Sequence, residues 1–365
     1  MKKVCLLTNI PAPYREPVHE RVNKIFGSNY TVVYFSKNEV NRTWKFELGY
    51  YNFLILKSIY FKIKDRIIHF NPNIINTLQR LNPDIIIVAG LGPSALLSIF
   101  WAKIRRRKII AFTDATLLSE KQMNLSKFKT YLRRLIYKDT DACIGASLAS
   151  MQLFEYYGAD KSKIFKSDLC IDNKYFDEIY QINKDKISKA YDIIYSGRLI
   201  ERKNITFFIE VVKQLKEIKT DLSVLIIGDG ELKDCMLNDF KRSNIKFKYA
   251  GFVQQPDLPL YYMQSKLFLL PTKQDAWALV CNEAAAVGTP TVVSKYAGAA
   301  NDLVLHNETG LVLELEVKLW VEKISFLLNN KEEIERLSTN AKAHVENYNF
   351  DNAANGIVNA INHVI

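Results

Sequence analysis

The chain has 365 residues, of which 48% are hydrophobic and 24% charged, and its formal net charge is +11. This composition is that of a folded globular protein, excludes an intrinsically disordered chain, and at this length predicts two domains of about 150–200 residues. The five cysteines are scattered, with no CxxC or Cys/His pattern, which argues against a metal site and is typical of a reducing cytosol.

The first residues and the longest apolar run are both interpreted as parts of a buried fold. The N-terminal MKKVCLLTNIPAP has an apolar run of only about seven residues and no small-residue cleavage site, so it predicts a strand and not a secretory signal. The run at 85–101, IIIVAGLGPSALLSIFW, is shorter than the about 20 residues of a membrane span and is interrupted by Gly90, Gly92 and Pro93. A strand, a tight turn and a helix are predicted there.

Short apolar runs alternate with helical patterns, which predicts parallel sheets covered by helices on both faces. Strands are predicted at 4–10, 30–36, 84–90, 108–114, 141–147, 191–199, 222–230, 245–253, 266–272 and 289–295. The fold class is therefore α/β, with two doubly wound, Rossmann-like domains at 1–180 and 181–350 whose strand ends face a central cleft. Residues 351–365 are predicted to form a helix that packs back on the N-terminal domain.

The excess of positive over negative charge is confined to the first half of the chain. Residues 1–180 contain 28 lysine and arginine residues against 16 aspartate and glutamate residues, with clusters at 62–66 and 103–108, whereas the remainder contains 22 against 23. At 127–138, KFKTYLRRLIYK, apolar residues recur at helical spacing among cations, which predicts a basic amphipathic helix. Such a helix suits peripheral contact with an anionic membrane, and a solvated surface helix is the alternative. No nucleic-acid-binding motif accompanies the charge, so a nucleic-acid partner is not predicted.

The stretch YSGRLIERKN at 195–204 has the pattern of an anion site. Gly197 ends a predicted strand, and Arg198 and Lys203 flank the turn into a helix, where free N–H groups and the helix dipole add to their charge. A diphosphate is the expected ligand, and a basic loop without a ligand is the alternative. The next glycine-rich stretch, IIGDGEL at 226–232, lacks a GxGxxG pattern and is interpreted as a tight turn with Asp229 as the helix N-cap.

Two further stretches follow predicted strands. In YAGFVQQPDL at 249–258, backbone groups near Val253 are placed to face a planar base. In LPTKQDAWALVCNEAAAVGTPTVVS at 270–294, Asp275 lies in a loop and Glu283 lies two turns into a helix, with unpaired N–H groups expected between them. A carboxylate at Glu283 can accept two hydrogen bonds from a vicinal diol such as a ribose. Two acids at this spacing also occur by chance, so the pattern alone leaves their function open.

Taken in order, these stretches resemble the C-terminal domain of retaining glycosyltransferases of family 4, which have the GT-B fold. That family has G-R-L-x-x-x-K, G-D-G, G-x-V and E-G-F-G-L-x-x-x-E-A-x-A-x-G-x-P segments. This chain has GRLIERK, GDG, GFV and DAWALVCNEAAAVGTP in the same order. The resemblance covers about residues 190–350, and the opening IPAPYREPVHERV at 10–22 is similar to a subgroup that acts in surface-polysaccharide assembly.

The resemblance implies a role for each matched residue. Arg198 and Lys203 would bind the diphosphate of a nucleotide-sugar donor, most often with uracil as its base, Asp275 would bind the donor sugar, and Glu283 would hold the ribose hydroxyls. The other donor contacts would come from Gly197, Val253, Ala278, Leu279 and Val280. Transfer would retain the anomeric configuration and need no divalent metal, because the cations stabilise the leaving diphosphate.

The chain departs from the family pattern in the loop that carries Asp275. The family has a glutamate there, which is one methylene longer, and it has glycines where this chain has Ala276 and Ala278. The loop therefore has less conformational freedom, and an altered preference for the donor sugar is predicted.

The N-terminal domain is expected to supply the acceptor site. A loop with Pro13, Tyr14 and Arg15 follows the first strand and would line the cleft. Asp114, in FTDAT at a strand end, is predicted to contact the donor sugar or the acceptor, or else to cap the next helix. His19 is interpreted as a residue on a helix surface.

The sequence thus predicts a glycosyltransferase without a cofactor that modifies a glycan or lipid-linked saccharide at the cytoplasmic face of the cell membrane. Two alternatives stay open. A GT-B sugar-nucleotide epimerase would want several acids and histidines for proton abstraction, and the chain has only five histidines. A non-catalytic nucleotide- or glycan-binding protein is compatible with the departures at Asp275, Ala276 and Ala278.

Overall fold

The computed structural model describes residues 1–39, 47–63, 66–123 and 125–365. The chain forms two compact units, one of Met1–Leu169 together with Phe350–Ile365 and the other of Cys170–Asn349. Two residues of the basic cluster at 62–66, Lys64 and Asp65, lie outside the described residues.

In its described residues, the first unit contains a parallel sheet, an antiparallel hairpin and six helices before residue 169. Its strands are β1 (Val4–Thr8), β2 (Tyr30–Tyr34), β3 (Asn52–Ile55), β4 (Ile59–Ile63), β5 (Arg66–Phe70), β6 (Ile85–Ala89), β7 (Lys108–Thr113), β8 (Ala142–Gly145) and β9 (Ile164–Lys166). Its helices are α1 (Glu16–Phe26), α2 (Ile74–Leu81), α3 (Pro93–Ile104), α4 (Leu117–Gln122), α5 (Lys127–Asp139) and α6 (Leu148–Tyr156). The seven-stranded parallel sheet has the order β3-β2-β1-β6-β7-β8-β9, and β4 pairs with β5.

The second unit contains a six-stranded parallel sheet flanked by helices. Its strands are β10 (Tyr191–Ser196), β11 (Ser223–Ile227), β12 (Lys246–Gly251), β13 (Ser265–Leu270), β14 (Thr291–Ser294) and β15 (Gly310–Leu313). Its helices are α7 (Asn173–Asn183), α8 (Ile205–Ile218), α9 (Lys233–Arg242), α10 (Leu258–Met263), α11 (Leu279–Ala286), α12 (Val317–Asn329) and α13 (Lys331–Val345). The strand order is β12-β11-β10-β13-β14-β15. Helix α7 packs on α10 and α11, which is why this unit begins before the polar stretch at 184–191.

Both parallel sheets are covered by helices on their two faces, and their strands are accordingly near-continuous apolar runs. The central strands β6, with the sequence IIIVA, and β11, with SVLII, are buried along almost their entire length. Each sheet has its own hydrophobic core. The predicted fold class, two doubly wound Rossmann-like domains, is confirmed. None of the helices in the described residues is long and apolar enough to cross a bilayer.

The C-terminal helix α14 (Phe350–Val364) completes the first unit, although it follows the second unit in the chain. It packs on α1, β8 and β9, with one face made of small and aliphatic residues. Gly356 packs directly against the backbone after β9, since a Cβ at this position would overlap the carbonyl oxygen of Lys166. The Ser167 hydroxyl donates to the carbonyl of Ala353 over 2.8 Å, and Arg21 pairs with Asp351. The helix is thus held by backbone fit and by polar contacts at its N-terminal end.

Candidate functional site

The strand order of the second unit reverses at β10, which lies between β11 and β13. In doubly wound sheets the loops on either side of such a reversal diverge and leave a crevice at the carboxyl ends of the strands, where ligands bind. The loop after β10 carries Gly197, Arg198 and Lys203, and the loop after β13 carries Asp275. The sequence-predicted residues of these two motifs therefore meet at one end of the sheet.

Two glycines fix the loop that carries Arg198. A Cβ on Gly228 would overlap the carbonyl oxygen of Gly197, and a Cβ on Gly230 would overlap that of Leu199. The N–H of Leu199 also donates to the carbonyl of Asp229 over 2.9 Å. The GDG stretch is therefore a backbone platform for the Arg198 loop. The predicted N-cap role of Asp229 is wrong, because α9 begins at Lys233 and the Asp229 carboxylate accepts from the N–H of Gly230 instead.

Lys203 and Asp275 form a buried ion pair that joins the two loops. The Lys203 Nζ donates to the Asp275 carboxylate, and their side chains are only 10% and 17% exposed. Burial raises the pKa of Asp275, but the charge and hydrogen bond of Lys203, the charge of Arg202 and the Trp277 N–H outweigh it, so the pKa is lower than usual. Asp275 is thus a carboxylate whose charge compensates Lys203. The sequence assigned these residues to separate ligand groups and did not anticipate their contact.

The loop that carries Asp275 is held by backbone hydrogen bonds to residues 296–298 and by the packing of Trp277. The N–H of Asp275 donates to the carbonyl of Tyr296 over 3.1 Å, and the N–H of Gly298 donates to the carbonyl of Asp275 over 2.9 Å. The Trp277 ring is buried, donates its Nε1–H to Asn282 over 2.8 Å, and lies 5.6 Å from the ring of Tyr348. Trp277 therefore holds the loop to the core of the unit.

Ala278 has a left-handed backbone, with φ +84° and ψ 69°, immediately before α11. A residue with a Cβ is disfavoured in this region, and the related family has glycine at this position. No side chain caps α11. The N–H of Cys281 donates to the carbonyl of Ala278 over 2.9 Å, whereas the N–H groups of the half-buried Leu279 and Val280 have no acceptor within the helix. The strained turn thus directs free backbone donors out of the helix N-terminus, as an anion site requires.

Glu283 lies in the second turn of α11 and is buried. Burial raises the pKa of its carboxyl group to about 7, although the Tyr262 hydroxyl, which donates to it over 2.9 Å, acts to lower the pKa. Ser196, at the end of β10, hydrogen-bonds in turn to the Tyr262 hydroxyl. Glu283 is therefore fixed to the same strand end as the Arg198 loop, and it changes protonation state near neutral pH.

Val253 lies further along the sheet edge. It is half-buried, two residues after the end of β12 at Gly251, which has φ +69°. The carbonyl of Gly251 accepts a hydrogen bond from Gly228 over 2.7 Å, so this turn is tied to the same glycine platform.

A cavity of about 260 Å³ lies within the first unit, where β1, β2, β6 and β7 end. This is the reversal of strand order in that sheet, since β1 lies between β2 and β6. Tyr14, Arg15 and Asp114 all line it, as do His19 and Glu39. The Arg15 guanidinium lies 4.9 Å from the centre of the Phe112 ring. Three sequence-predicted residues thus share one cavity, and Pro13 is half-buried in the adjoining loop.

Two sequence interpretations of this region need correction. Asp114 does not cap the next helix, because Thr116 is the N-cap of α4 and its Oγ1 accepts from the N–H of Ser119. His19 is not a surface residue, because its ring is 3% exposed and its Nδ1 lies 2.9 Å from the Tyr30 hydroxyl. Burial, with the nearby Arg15 charge, lowers the pKa of His19 to about 3, so the ring is neutral.

A buried carboxylate beneath this cavity was missed. Glu16, the first residue of α1, accepts from the hydroxyls of Tyr34 over 3.0 Å and Tyr51 over 2.6 Å, and from the N–H of Gly49 over 3.1 Å. In the sequence, the burial of Glu16 is indicated only by its spacing of three residues from His19, which puts both side chains on one face of α1. The network fixes the start of α1 and so the loop that carries Tyr14 and Arg15.

The described residues contain no group of three or more histidine, cysteine, aspartate or glutamate side chains arranged to hold a metal ion. Metal independence therefore stays a prediction.

Similarity to known proteins is clearest in the second unit. Residues 177–344 match the family model described as glycosyl transferases group 1. The chain is 29% identical over 122 residues to 2-deoxystreptamine N-acetyl-D-glucosaminyltransferase of Niallia circulans, which covers 33% of this chain and 31% of that protein. It is 25% identical over 291 residues to the capsular polysaccharide biosynthesis glycosyltransferase CapM of Staphylococcus aureus, which covers 72% of each. The chain thus spans 31% of the Niallia protein and 48% of an uncharacterized glycosyltransferase of Haemophilus influenzae, and it spans two thirds or more only of CapM among these three relatives.

Solved structures match the whole chain. Anabaena Alr3699/HepE in complex with UDP superposes with a TM-score of 0.76 at 15% identity, and the match covers 99% of both chains. A TM-score of 0.76 over the whole chain establishes the fold, and the predicted GT-B fold class is confirmed.

The backbone strain at Ala278 is testable. We expect Ala278→Gly to raise the free energy of unfolding in urea by about 1 kcal/mol, because glycine removes the left-handed Cβ penalty. Ala276→Gly is the matched control, since Ala276 has no positive φ and glycine there costs about 0.5–1 kcal/mol of chain entropy. Equal effects of the two substitutions would contradict strain at Ala278.

The ion pair of Lys203 and Asp275 is testable by a double-mutant cycle. We expect Asp275→Leu to lower the free energy of unfolding by about 3 kcal/mol, because it leaves the buried Lys203 charge uncompensated. Lys203→Met should cost a similar amount, and the double substitution should cost less than the sum, as measured by urea unfolding. Additive losses would mean that the two side chains do not interact.

Proposed function

We propose that this chain is a retaining glycosyltransferase of the hexosyl type. It moves a sugar from a nucleoside diphosphate, UDP, to a hydroxyl of a glycan or lipid-linked saccharide in cell-surface polysaccharide biosynthesis. The match of the second unit to glycosyl transferases group 1 supports the activity. The similarity to CapM supports a role in polysaccharide biosynthesis. The likeness to a structure with bound UDP supports UDP as the nucleotide of the donor.

The observation that carries the proposal is the contact between Lys203 and Asp275. It brings the GRLIERK motif and the DAWALVCNE motif, which are 72 residues apart at these positions, to one strand-order reversal. The two loops follow the paired strands β10 and β13, and the ion pair fixes their side chains at the crevice where a donor would bind.

Each residue of this site has a separate role in donor binding or in transfer. Arg198 and the N–H groups at the start of α11 bind the diphosphate and stabilise the charge that it gains as it leaves. Lys203, whose charge Asp275 compensates, orients the Asp275 carboxylate toward the sugar hydroxyls. Glu283 accepts hydrogen bonds from the ribose. The bond from the anomeric carbon to the diphosphate breaks, a bond to the acceptor oxygen forms on the same face, and the acceptor proton passes to the departing phosphate.

The cavity of the first unit is proposed as the acceptor side. Tyr14 and Arg15 supply hydrogen-bond donors, and Asp114 is an exposed acceptor at its rim. Transfer is proposed to need no metal and to take place in the cytoplasm at the inner face of the cell membrane.

Transfer from a panel of UDP- and GDP-sugars tests the proposal. We expect release of UDP with at least one UDP-sugar, with formation of an α-linked product from an α-linked donor. Arg198→Ala should weaken donor binding about 10- to 100-fold, because it removes a charged hydrogen-bond partner of the diphosphate. Arg242→Ala, an exposed arginine at the end of α9, is the control and should leave binding unchanged.

Other outcomes would assign the chain elsewhere. Full transfer by Arg198→Ala would overturn the site assignment. Release of an epimeric nucleotide sugar without transfer would identify an epimerase. Donor binding without turnover on any acceptor would identify a binding protein.

The raised pKa of Glu283 predicts a pH dependence of donor binding. A carboxylate accepts two hydrogen bonds from a ribose and a protonated carboxyl does not, so affinity for a UDP-sugar should rise about tenfold from pH 6 to pH 8 and level off above the pKa of about 7. The donor diphosphate itself does not titrate in this range. Glu283→Gln should flatten the profile in calorimetric titrations, and an unchanged slope in that variant would contradict the assignment.

A further inference from the structure

We propose that the first unit has a membrane-docking face, formed by α3 and α5, that binds the surface of an anionic phospholipid bilayer. Binding to the bilayer does not depend on the transfer reaction. The apolar residues of the docking face are Phe100, Ile104, Phe128, Tyr131 and Leu135, and its cations are Arg105, Arg106, Lys127, Lys129, Arg134 and Lys138.

The apolar residues of the docking face are turned to solvent. They are between 50% and 72% exposed. In α5, Phe128, Tyr131 and Leu135 follow one another at helical spacing on one face, whereas Tyr137 is the buried residue of this helix. A surface helix of a globular domain ordinarily turns its apolar stripe to the core. In α5, Leu132 and Ile136 are partly buried, and the exposed residues form a second apolar stripe that faces outward, which marks an interaction surface.

Helix α3 extends the same surface. The connections β6–α3–β7 and β7–α5–β8 join neighbouring parallel strands in order, and right-handed crossovers put both helices on one face of the sheet. Their C-terminal ends touch, because Lys103 donates to the carbonyl of Asp139 over 3.0 Å. Phe100 and Ile104, one turn apart on α3, are each 64% exposed. The exposed apolar residues therefore belong to two adjacent helices.

The charges around these residues favour a lipid surface as the occupant. Arg133 pairs with Glu120 over 2.8 Å and Lys103 pairs with Asp139, so these two cations are already compensated. Within the described ranges, no carboxylate pairs with the six cations of the docking face. A second copy docking through the same face would bring like charges together. An anionic bilayer offers both the charge and the apolar layer that the face lacks, and α5, about 20 Å long, can lie along it.

Vesicle flotation with the full chain, without nucleotide or acceptor, tests the docking face. The vesicles are phosphatidylcholine with 30% phosphatidylglycerol, and pure phosphatidylcholine vesicles serve as the comparison. We expect binding to the anionic vesicles only, weakened by high salt. Replacing Lys127, Arg134 and Lys138 with glutamine should reduce the partition coefficient about a hundredfold, because each cation contributes about fivefold.

Matched variants separate the docking face from the charge of the chain as a whole. F128S/Y131S/L135S keeps the charge and should also abolish binding. K174Q/K323Q/K331Q removes three exposed lysines of the second unit and should bind like the wild type. As an insertion readout, Tyr131→Trp should be quenched by lipids with brominated acyl chains, whereas Phe326→Trp, exposed on α12, should not.

Three results would overturn the proposal. One is absence of wild-type binding to the anionic vesicles. Another is that F128S/Y131S/L135S binds the anionic vesicles as well as the wild type does, or that the two tryptophan probes are quenched equally. The third is concentration-dependent self-association in ultracentrifugation that F128S/Y131S/L135S abolishes, which would assign the face to a second copy of the chain. Loss of transfer activity with vesicle binding intact would contradict the proposed function and leave the docking face standing.

Discussion

The second unit depends on the buried contact between Lys203 and Asp275. The two residues come from loops that follow the paired strands β10 and β13, and the N–H of Lys273 also joins these loops by donating to the carbonyl of Arg202 over 3.0 Å. Opposite charges in a poorly solvated place strengthen this contact, because each side chain leaves the other unpaired if the loops separate. The pair also sets the local potential. Asp275 cancels one cation, and the remaining positive character of the site comes from Arg198, Arg202 and the free N–H groups of α11.

Backbone fit supports this electrostatic link. Gly228 and Gly230 lie against the carbonyls of Gly197 and Leu199, where any side chain would overlap them. On the other side of the crevice, Ala278 holds a conformation that glycine would adopt without strain. Natural sites tolerate strain of this size when the surrounding contacts over-determine the conformation, as Trp277 and the bridge to residues 296–298 do here. The site is thus assembled mainly from backbone shape, and few side chains remain to contact a ligand.

The sequence predicted those parts of the molecule that local pattern controls. All ten predicted strands are present, because buried parallel strands have long apolar runs. The strands that it missed, β3, β9 and β15 and the hairpin of β4 and β5, are short or carry exposed residues, so their pairing is decided by neighbours in space. The motifs of the second unit predicted its site residues, and the structure brings those of the loops after β10 and β13 to one end of the sheet. Burial of His19, the raised pKa of Glu283 and the partner of Lys203 depend on contacts between distant segments, which no local pattern encodes.

The return of α14 to the first unit has a consequence for the order in which the chain can fold. Within the described part of the chain, α14 covers the groove formed by α1, β8 and β9, so the first 169 residues cannot bury that surface as they are synthesised. The second unit is continuous in sequence and can be completed earlier, although it begins later. Vectorial synthesis usually lets N-terminal domains fold first, and this topology reverses that order. Until its last segment arrives, the nascent first half exposes apolar surface and is the part of the protein that most needs protection from aggregation.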